Sequence, residues 1–290
     1  MTLAKQFAAN HSSSKINFVF IRHPYNKGQG AARNEGVKAA KGKYLFFIDS
    51  DDSLFPYSLS SLVCFAETSS FDIIEGQTAY SNQEGQVFKK TQRSDCHNVN
   101  YDELWQIGNI WKPVCWNKII KREFFIKNNL WFIEGIFYED LHWATLVALS
   151  DPQIMVIPDL TYNYLIRSNS TTHTITEKHI GSFKTLLNSL KDIYLRSNKI
   201  WKKETIINFV AQFERLRSTS IDLIVPYCNN SISREYIDEI RRISLVGYTK
   251  ILTNKSLDIR LKLKVTPLFC GIFAATLINT KSFISKYLRK

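Results

Sequence analysis

The segment at 43–52 constrains the fold of this chain more than any other. Residues 43–48 (KYLFFI) form an apolar run typical of a buried strand, and they end abruptly in the acidic sequence DSDD. The carboxyl end of such a strand faces the ligand crevice of an open α/β sheet. Three carboxylates this close repel one another unless a cation lies among them. The cluster therefore predicts an oxygen-rich site for Mg²⁺ or Mn²⁺ with a diphosphate, whereas capping of the following helix by Asp51 or Asp52 explains only one carboxylate.

A strand and a helix are predicted immediately before this segment. Residues 16–21 (INFVFI) are rich in β-branched and aromatic side chains, which predicts a buried strand. Residues 31–42 (AARNEGVKAAKG) contain four alanines that favour a short helix, with Gly42 near its carboxyl end. Together with the strand at 43–48 they make one βαβ unit, so we expect a parallel sheet.

The turn that leads into the predicted helix is rich in glycine. It runs from Asn26 to Gly30 and is followed closely by Arg33. Glycine allows backbone to approach a ligand, and a helix N-terminus beside an arginine favours an anion. Such turns are also common structural punctuation. The signal gains weight here because the turn lies one βαβ step before the acidic cluster.

The rest of the chain alternates strands and helices and then becomes helical. The predicted elements, in order, are a helix at 53–67, a strand at 71–76, a polar loop at 81–100 that could hold a hairpin, a helix in 134–150, and a strand, turn and strand across 153–167. From 176 onward the pattern is that of long amphipathic helices. We therefore predict two domains, at 1–175 and 176–290.

Two adjacent carboxylates, Glu139 and Asp140, begin one of these helices. Acidic residues in a first helical turn are favoured by the helix dipole, which is the purely structural interpretation. Inside an active site such a carboxylate can act as the general base for an attacking hydroxyl.

Several motifs, in order and spacing, resemble family 2 glycosyltransferases with the GT-A fold. The stretch at 26–52 (NKGQGAARNEGVKAAKGKYLFFIDSDD) is similar to the N-x-G-x-x-A-A-R-N-x-G and D-S-D-D motifs of that family. Three later stretches agree as well: WNKIIKREFF at 116–125, EGIFYED at 134–140 and YNYLIRSNS at 162–170. The resemblance covers roughly residues 1–175 and implies an α/β, Rossmann-like nucleotide-sugar-binding domain, followed here by an α-helical domain.

The resemblance also implies roles for individual residues. Asp49 and Asp51 match the D-x-D that contacts the nucleotide ribose and the metal, with Asp52 close by, and the metal is expected at Asp51 and Asp52 as Mn²⁺ or Mg²⁺. Asp140, paired with Glu139, matches the base. The nucleotide contacts and the lid over the diphosphate fall on Asn26, Arg33, Arg167, and also Ser170 or His173. Trp116 and Trp131 are candidates for sugar stacking, and burial in the core is at least as good an interpretation of both.

The start of the chain departs from the family pattern. The strand with P-x-Y-N and the strand ending V-D-D-G-S are absent, and residues 3–11 look like the helix that follows them. The domain is therefore expected to be N-terminally truncated, by a misplaced start codon, by a true truncation, or with a partner chain supplying that half.

The charge of the chain calls for an anionic partner. The formal net charge is +12, and seven basic residues and no acidic one lie in 260–290, around the apolar stretch 265–278. This stretch is too short to span a bilayer and suits either the surface of an anionic membrane or a buried helix. There is no signal-peptide pattern, and the five scattered cysteines fit a reducing compartment. We expect a cytoplasmic protein at the inner face of the cell membrane.

These features lead to one function and two alternatives. The function is inverting transfer of a sugar from a nucleotide-diphosphate donor, UDP-linked by expectation, to a hydroxyl of a saccharide or lipid-linked saccharide acceptor in surface-polysaccharide synthesis. One alternative is a catalytically impaired or partner-dependent remnant of the same fold. The other is a basic nucleic-acid-binding protein, which only the net charge supports, since no zinc finger or RNP motif is present. We therefore expect no nucleic-acid partner.

Overall fold

The computed structural model describes residues 2–11, 16–91, 93–167, 176–224, 231–243 and 245. The helices among them are α1 (Thr2–His11), α2 (Gly28–Ala39), α3 (Ser58–Thr68), α4 (Tyr101–Leu104), α5 (Arg122–Lys127), α6 (Glu139–Leu149), α7 (Glu177–Ser197), α8 (Lys203–Ile224) and α9 (Ser231–Arg242). The strands are β1 (Tyr44–Phe46), β2 (Ser53–Leu54), β3 (Ile73–Ser81), β4 (Val87–Lys90), β5 (His97–Val99), β6 (Lys118–Lys121) and β7 (Ile154–Leu165). The basic stretch at 260–290, Ser170 and His173 lie outside the described residues.

The strands form one mixed sheet with the order β1-β6-β3-β7-β2, to which β4 adds beside β3 and β5 beside β7. Only β3 and β7 pair in parallel, and the other pairs of named strands are antiparallel. The hairpin expected in 81–100 is confirmed by the pairing of β3 with β4. The expectation of a parallel sheet is wrong, because β6 inserts antiparallel between β1 and β3.

The predicted strand at 16–21 is also wrong. Ile16 forms an isolated bridge, while residues 17–21 are in no strand and Val19 is 63% exposed. A strand is defined by the neighbour with which its backbone pairs, and these residues pair with none of the described strands. The β-propensity of INFVFI therefore does not produce a strand here, and the expected βαβ unit is absent.

The segment at 153–167 is one strand, not a strand, a turn and a strand. Between Val156 and Leu160, β7 uses four residues where β3 uses only two, from Glu75 to Gln77. Pro158 and its neighbours therefore form an irregularity within the strand. The turn predicted within this segment is therefore wrong, because the chain continues through the irregularity as a single strand.

Helices cover both faces of the sheet. On one face, α3 packs Leu62 and Ala66 against Ile74, Ile119 and Ile157. On the other face lies a larger core to which α2, α5 and α6 contribute, and which continues into the buried apolar sides of α7, α8 and α9. The helical C-terminal part expected from the sequence is thus present. The boundary between 175 and 176 stays a prediction.

Candidate active site

The glycine-rich turn places the start of α2 directly on the segment before α6. The Asn26 side chain accepts a hydrogen bond from the Gly28 N–H (2.9 Å), and the Gly135 N–H donates to the Lys27 carbonyl (3.0 Å). A Cβ on Gly30 would lie 2.4 Å from the Ile133 carbonyl oxygen, so only glycine fits at this crossing. The turn therefore serves helix-to-loop packing as well as any ligand contact.

Asn34 fixes the same junction from within α2. Its side-chain N–H₂ donates to the Phe132 carbonyl (2.9 Å), and its side-chain oxygen accepts from the Phe132 N–H (3.0 Å). A longer contact of 3.3 Å joins Asn34 to the Glu134 carboxylate. Sequence reasoning assigned no role to Asn34, since its partners are about a hundred residues away along the chain.

Arg33 joins the acidic cluster to the start of α6. Its guanidinium nitrogens lie 3.1 Å from the Asp49 carboxylate and 2.5 Å from the Glu139 carboxylate. The central carbon of the guanidinium lies 5.5 Å from the centre of the Phe132 ring. Burial alone would lower the pKa of Arg33, but the charges of Asp49 and Glu139 raise it above its ordinary value. Arg33 therefore stays charged and holds two predicted site carboxylates together.

Asp140 lies next to this bridge, in the first turn of α6. The helix starts after Tyr138, whose φ of 62° is left-handed, and the Leu141 N–H donates to the Asp140 carboxylate (3.0 Å). Burial, and then the charge of Glu139, raise the pKa of Asp140 to about 6, against the opposing effect of Arg33. A carboxylate with such a pKa is suited to accept a proton near neutral pH.

Asp52 is turned toward the end of β7. Its carboxylate accepts hydrogen bonds from the Tyr162 hydroxyl (2.8 Å) and the Leu165 N–H (2.9 Å). The same hydroxyl accepts from the Asp49 N–H (3.2 Å). Tyr162 is fully buried and holds the loop at 49–52 in place. Tyr162 lies in one of the family-like motifs without an assigned role, and its spacing of two residues from Tyr164, which places both rings on one face of a strand, was the available signal.

Arg167 follows β7 and faces the same loop. Its guanidinium lies 3.6 Å from the Asp51 carboxylate, and both side chains are partly exposed. An exposed pair at this distance contributes little to stability. It does place a cation beside the acidic cluster, where the resemblance places a contact to the diphosphate.

The acidic loop offers oxygen ligands of the type that Mg²⁺ and Mn²⁺ prefer. The pKa of Asp52 is raised, first by burial and in smaller part by the charges of Asp51 and Asp49. The carboxylates of the acidic loop thus repel one another, and a bound cation would reduce this repulsion. Within the part of the chain that the structure describes, no cluster of three or more His, Cys, Asp or Glu side chains has the arrangement of a complete metal site. Each Asp52 oxygen already accepts one hydrogen bond, which leaves further lone pairs for a cation, and the assignment of the ion to Asp51 and Asp52 stays a prediction.

The two candidate sugar-stacking tryptophans lie in different surroundings. Trp116 is buried and stacks on Tyr162 (4.6 Å between ring centres) and on Tyr164 (5.5 Å). Trp131 packs edge-on against Phe125, at 5.6 Å. Trp116 therefore lies in an aromatic stack beneath the acidic loop, which agrees with the core interpretation of this residue.

The N-terminal part of the chain matches a known protein family. Residues 3–130 match the family model described as glycosyl transferase family 2. The chain is similar to the uncharacterized glycosyltransferase YibD of Escherichia coli K12, with 26% identity over 177 residues, which is 59% of this chain and 50% of that protein. It is also similar to the poly(ribitol-phosphate) beta-glucosyltransferase of Bacillus spizizenii, with 26% identity over 71% of this chain and 33% of that protein. The chain thus spans half or less of the length of these two relatives.

A solved structure shares the fold. The S. aureus TarS fragment 1–349 in complex with UDP-GlcNAc superposes with a TM-score of 0.52 and 17% sequence identity, over 83% of this chain and 77% of that one. The chain therefore has the GT-A fold with a helical C-terminal part.

None of the helices in the described residues is both long and apolar enough to span a bilayer.

Proposed function

We propose that this chain, a member of glycosyl transferase family 2, transfers a sugar from a nucleotide diphosphate, UDP in the first instance, to an acceptor hydroxyl with inversion at the sugar carbon. The observation that carries the proposal is the bridge through Arg33, which joins Asp49 of the acidic loop to Glu139 beside Asp140. It brings a diphosphate-binding type of loop and a candidate base to one place. The family match favours this function over nucleic-acid binding.

In this proposal Asp140 accepts the proton of the acceptor hydroxyl as its oxygen attacks the sugar carbon. The pKa of about 6 leaves most Asp140 side chains ionised at neutral pH and still basic enough to accept a proton. Glu139 and Arg33 position the base, and the oxygen of the departing diphosphate takes the electron pair of the broken bond. A single displacement of this kind inverts the sugar carbon.

Asn26, Arg33, Asp49 and Arg167 are proposed to contact the donor, with a divalent ion at Asp51 and Asp52. A bound Mn²⁺ or Mg²⁺ would neutralise the charge that develops on the diphosphate. Arg167 lies beside Asp51 and supplies a second positive charge on the same side of the loop.

The acceptor is proposed to be a saccharide or polyol chain of a surface polysaccharide, free or lipid-linked. The similarity to a poly(ribitol-phosphate) beta-glucosyltransferase supports a polymeric acceptor of this type. A place at the inner face of the membrane is proposed from the basic sequence at 260–290.

Calorimetric titration of the full chain with UDP tests the donor part of the proposal. We expect Mn²⁺ to strengthen UDP binding, Asp51→Asn to remove that gain, and the exposed helical variant Asp192→Asn to keep it. With a UDP-sugar as donor, Asp140→Asn should leave UDP binding intact and abolish release of UDP by transfer or hydrolysis. UDP binding that ignores both the metal and Asp51→Asn would refute the assignment.

A further inference from the structure

A cleft lined by basic side chains opens beside the candidate active site. It has a volume of about 500 Å³ and lies between β3, β4 and the loop at 108–112. The side chains that define this basic cleft are Tyr80, Lys89, Arg93 and Lys112. None of them has a role in the proposed transfer chemistry.

The basic cleft holds an excess of positive charge, although the Glu103 carboxylate interacts with Arg93 from beyond ion-pair distance. Among the described residues, none of Lys89, Arg93 and Lys112 has a carboxylate within ion-pair distance. Glu75 also lines the cleft, but its carboxylate already pairs with the ammonium group of the buried Lys118 (3.1 Å). The same carboxylate accepts hydrogen bonds from the backbone N–H of Lys112 (3.1 and 3.2 Å). Like charges held together without a counter-ion favour the binding of an anion.

An aromatic ring forms part of the same surface. The ammonium groups of Lys112 and Lys89 lie 4.9 Å and 5.5 Å from the centre of the Tyr80 ring, and Lys112 also donates to the Tyr80 hydroxyl (2.5 Å). Cations held over an aromatic ring keep a defined position without a carboxylate. The cleft thus offers charge and a flat apolar surface together, which suits a chain of sugar or polyol units that carries anionic groups.

A row of aromatic rings in contact with one another connects the basic cleft to the acidic loop. Tyr80 contacts Tyr164 (5.8 Å between centres), Tyr164 contacts Trp116 (5.5 Å), and Trp116 contacts Tyr162 (4.6 Å). The last ring binds Asp52 through its hydroxyl. Tyr80 pairs with Tyr164 near the carboxyl ends of the parallel strands β3 and β7, so the cleft and the loop lie at the same edge of the sheet.

We propose that the basic cleft is an acceptor subsite that binds an anionic group, a phosphate or a carboxylate, on a unit of the acceptor chain next to the one that reacts. The identification of the bound chain as the acceptor rests on the proposed glycosyl transfer. The binding of an anionic saccharide or polyol chain to these side chains can be tested independently of catalysis.

The test is fluorescence anisotropy of the full chain with three labelled oligomers of equal length: a glycerol phosphate oligomer, an oligogalacturonate and a neutral malto-oligosaccharide. We expect one or both anionic oligomers to bind, and the neutral one not to. The triple variant Lys89→Gln, Arg93→Gln, Lys112→Gln should weaken that binding by about tenfold or more, since it removes charge-assisted hydrogen bonds. The anionic oligomer that binds identifies the group as phosphate or carboxylate.

A matched triple variant separates the cleft from overall charge. Lys199, Lys202 and Lys203 are exposed in the helical part, and changing them to Gln removes the same charge elsewhere. Equal weakening by both triple variants, or no binding of either anionic oligomer, overturns the proposal. The single variant Lys89→Glu, at an exposed position of β4, repeats the test should the triple variant fold poorly.

UDP binding measured on the same samples distinguishes the two proposals. An unchanged UDP affinity in the cleft variant shows that its fold is intact. Absence of UDP binding in the unaltered chain counts against the proposed function, while the oligomer titration still decides for or against the basic cleft.

Discussion

Replacing Arg33 by Met removes the positive partner of a buried ion pair and keeps most of the side-chain volume. Arg33 is 11% exposed and Glu139 is 5% exposed, so the change leaves a carboxylate that is almost fully out of water without a counter-charge. Breaking a buried pair from one side costs about 3–5 kcal/mol of unfolding free energy. We expect a loss of about 3 kcal/mol at neutral pH, because Asp49, the second partner, is 25% exposed and can be hydrated.

A double-mutant cycle measures the pair itself. Glu139→Gln removes the buried charge, so adding it to Arg33→Met should recover part of the lost stability, with a coupling of about 2 kcal/mol. Urea unfolding followed by circular dichroism gives all four free energies.

A change of the same chemistry on the surface provides the control. Arg196→Met, at an exposed position of α7, should alter the free energy of unfolding by no more than about 0.5 kcal/mol. If Arg33→Met costs as little as this control, or if its cost is the same with Glu139 and with Gln at that position, the bridge between the acidic loop and α6 does not hold the site together.

Three further predictions concern the base, the helix junction and the membrane. The rate of sugar transfer should rise with pH through about 6, because Asp140 must be ionised to act as the base. Since the pKa of Asp140 is raised in the folded chain, its contribution to the free energy of unfolding should fall as the pH rises from its ordinary pKa to about 6. Asp140→Asn should remove this pH dependence in urea unfolding. Gly30→Ala should cost about 2 kcal/mol or more, measured by urea unfolding, since its Cβ would lie 2.4 Å from the Ile133 carbonyl oxygen, whereas Gly36→Ala, with open space at its Cβ, should be neutral or stabilising. The chain should sediment with vesicles that contain anionic lipid and be released by high salt, and changing the basic residues of 260–290 to Gln should abolish the sedimentation; equal sedimentation of both chains would contradict an electrostatic role for this stretch.

The elements near the acidic loop could be predicted because their signals are local. The apolar run at 43–48 contains β1, and α6 lies within the helix expected in 134–150. The helix expected at 53–67 is α3, which starts later and ends one residue further on, because Ser53 and Leu54 form β2. Here the side chains of a few neighbouring residues determine both the element and its end. The strand predicted at 16–21 failed because strand formation depends on a pairing partner elsewhere in the chain, which a run of β-branched residues cannot reveal.

The same distinction holds for the candidate site. Residue types and the family resemblance identified Arg33, Asp49 and Glu139, and the structure brings these three into contact. The sequence alone did not reveal that Tyr162 forms hydrogen bonds to both ends of the acidic loop, or that Asn34 joins α2 to Phe132. These hydrogen bonds connect residues about a hundred positions apart. Hydrogen bonds of this kind have no local sequence pattern.

The contacts around α2 indicate how the two halves of the site are kept in register. Gly30 and Asn34 pack the helix against 132–133, a few residues before Asp140, and Arg33 lies between them on the same helix. A shift of α2 would therefore displace the donor-side arginine and the base-side segment together. In the proposed transfer, hydroxyl, sugar carbon and departing oxygen must be aligned and small misplacements are costly, so a rigid junction at this point would serve that reaction. The glycine, the asparagine and the arginine of one short helix thus combine packing, positioning and charge in a single element.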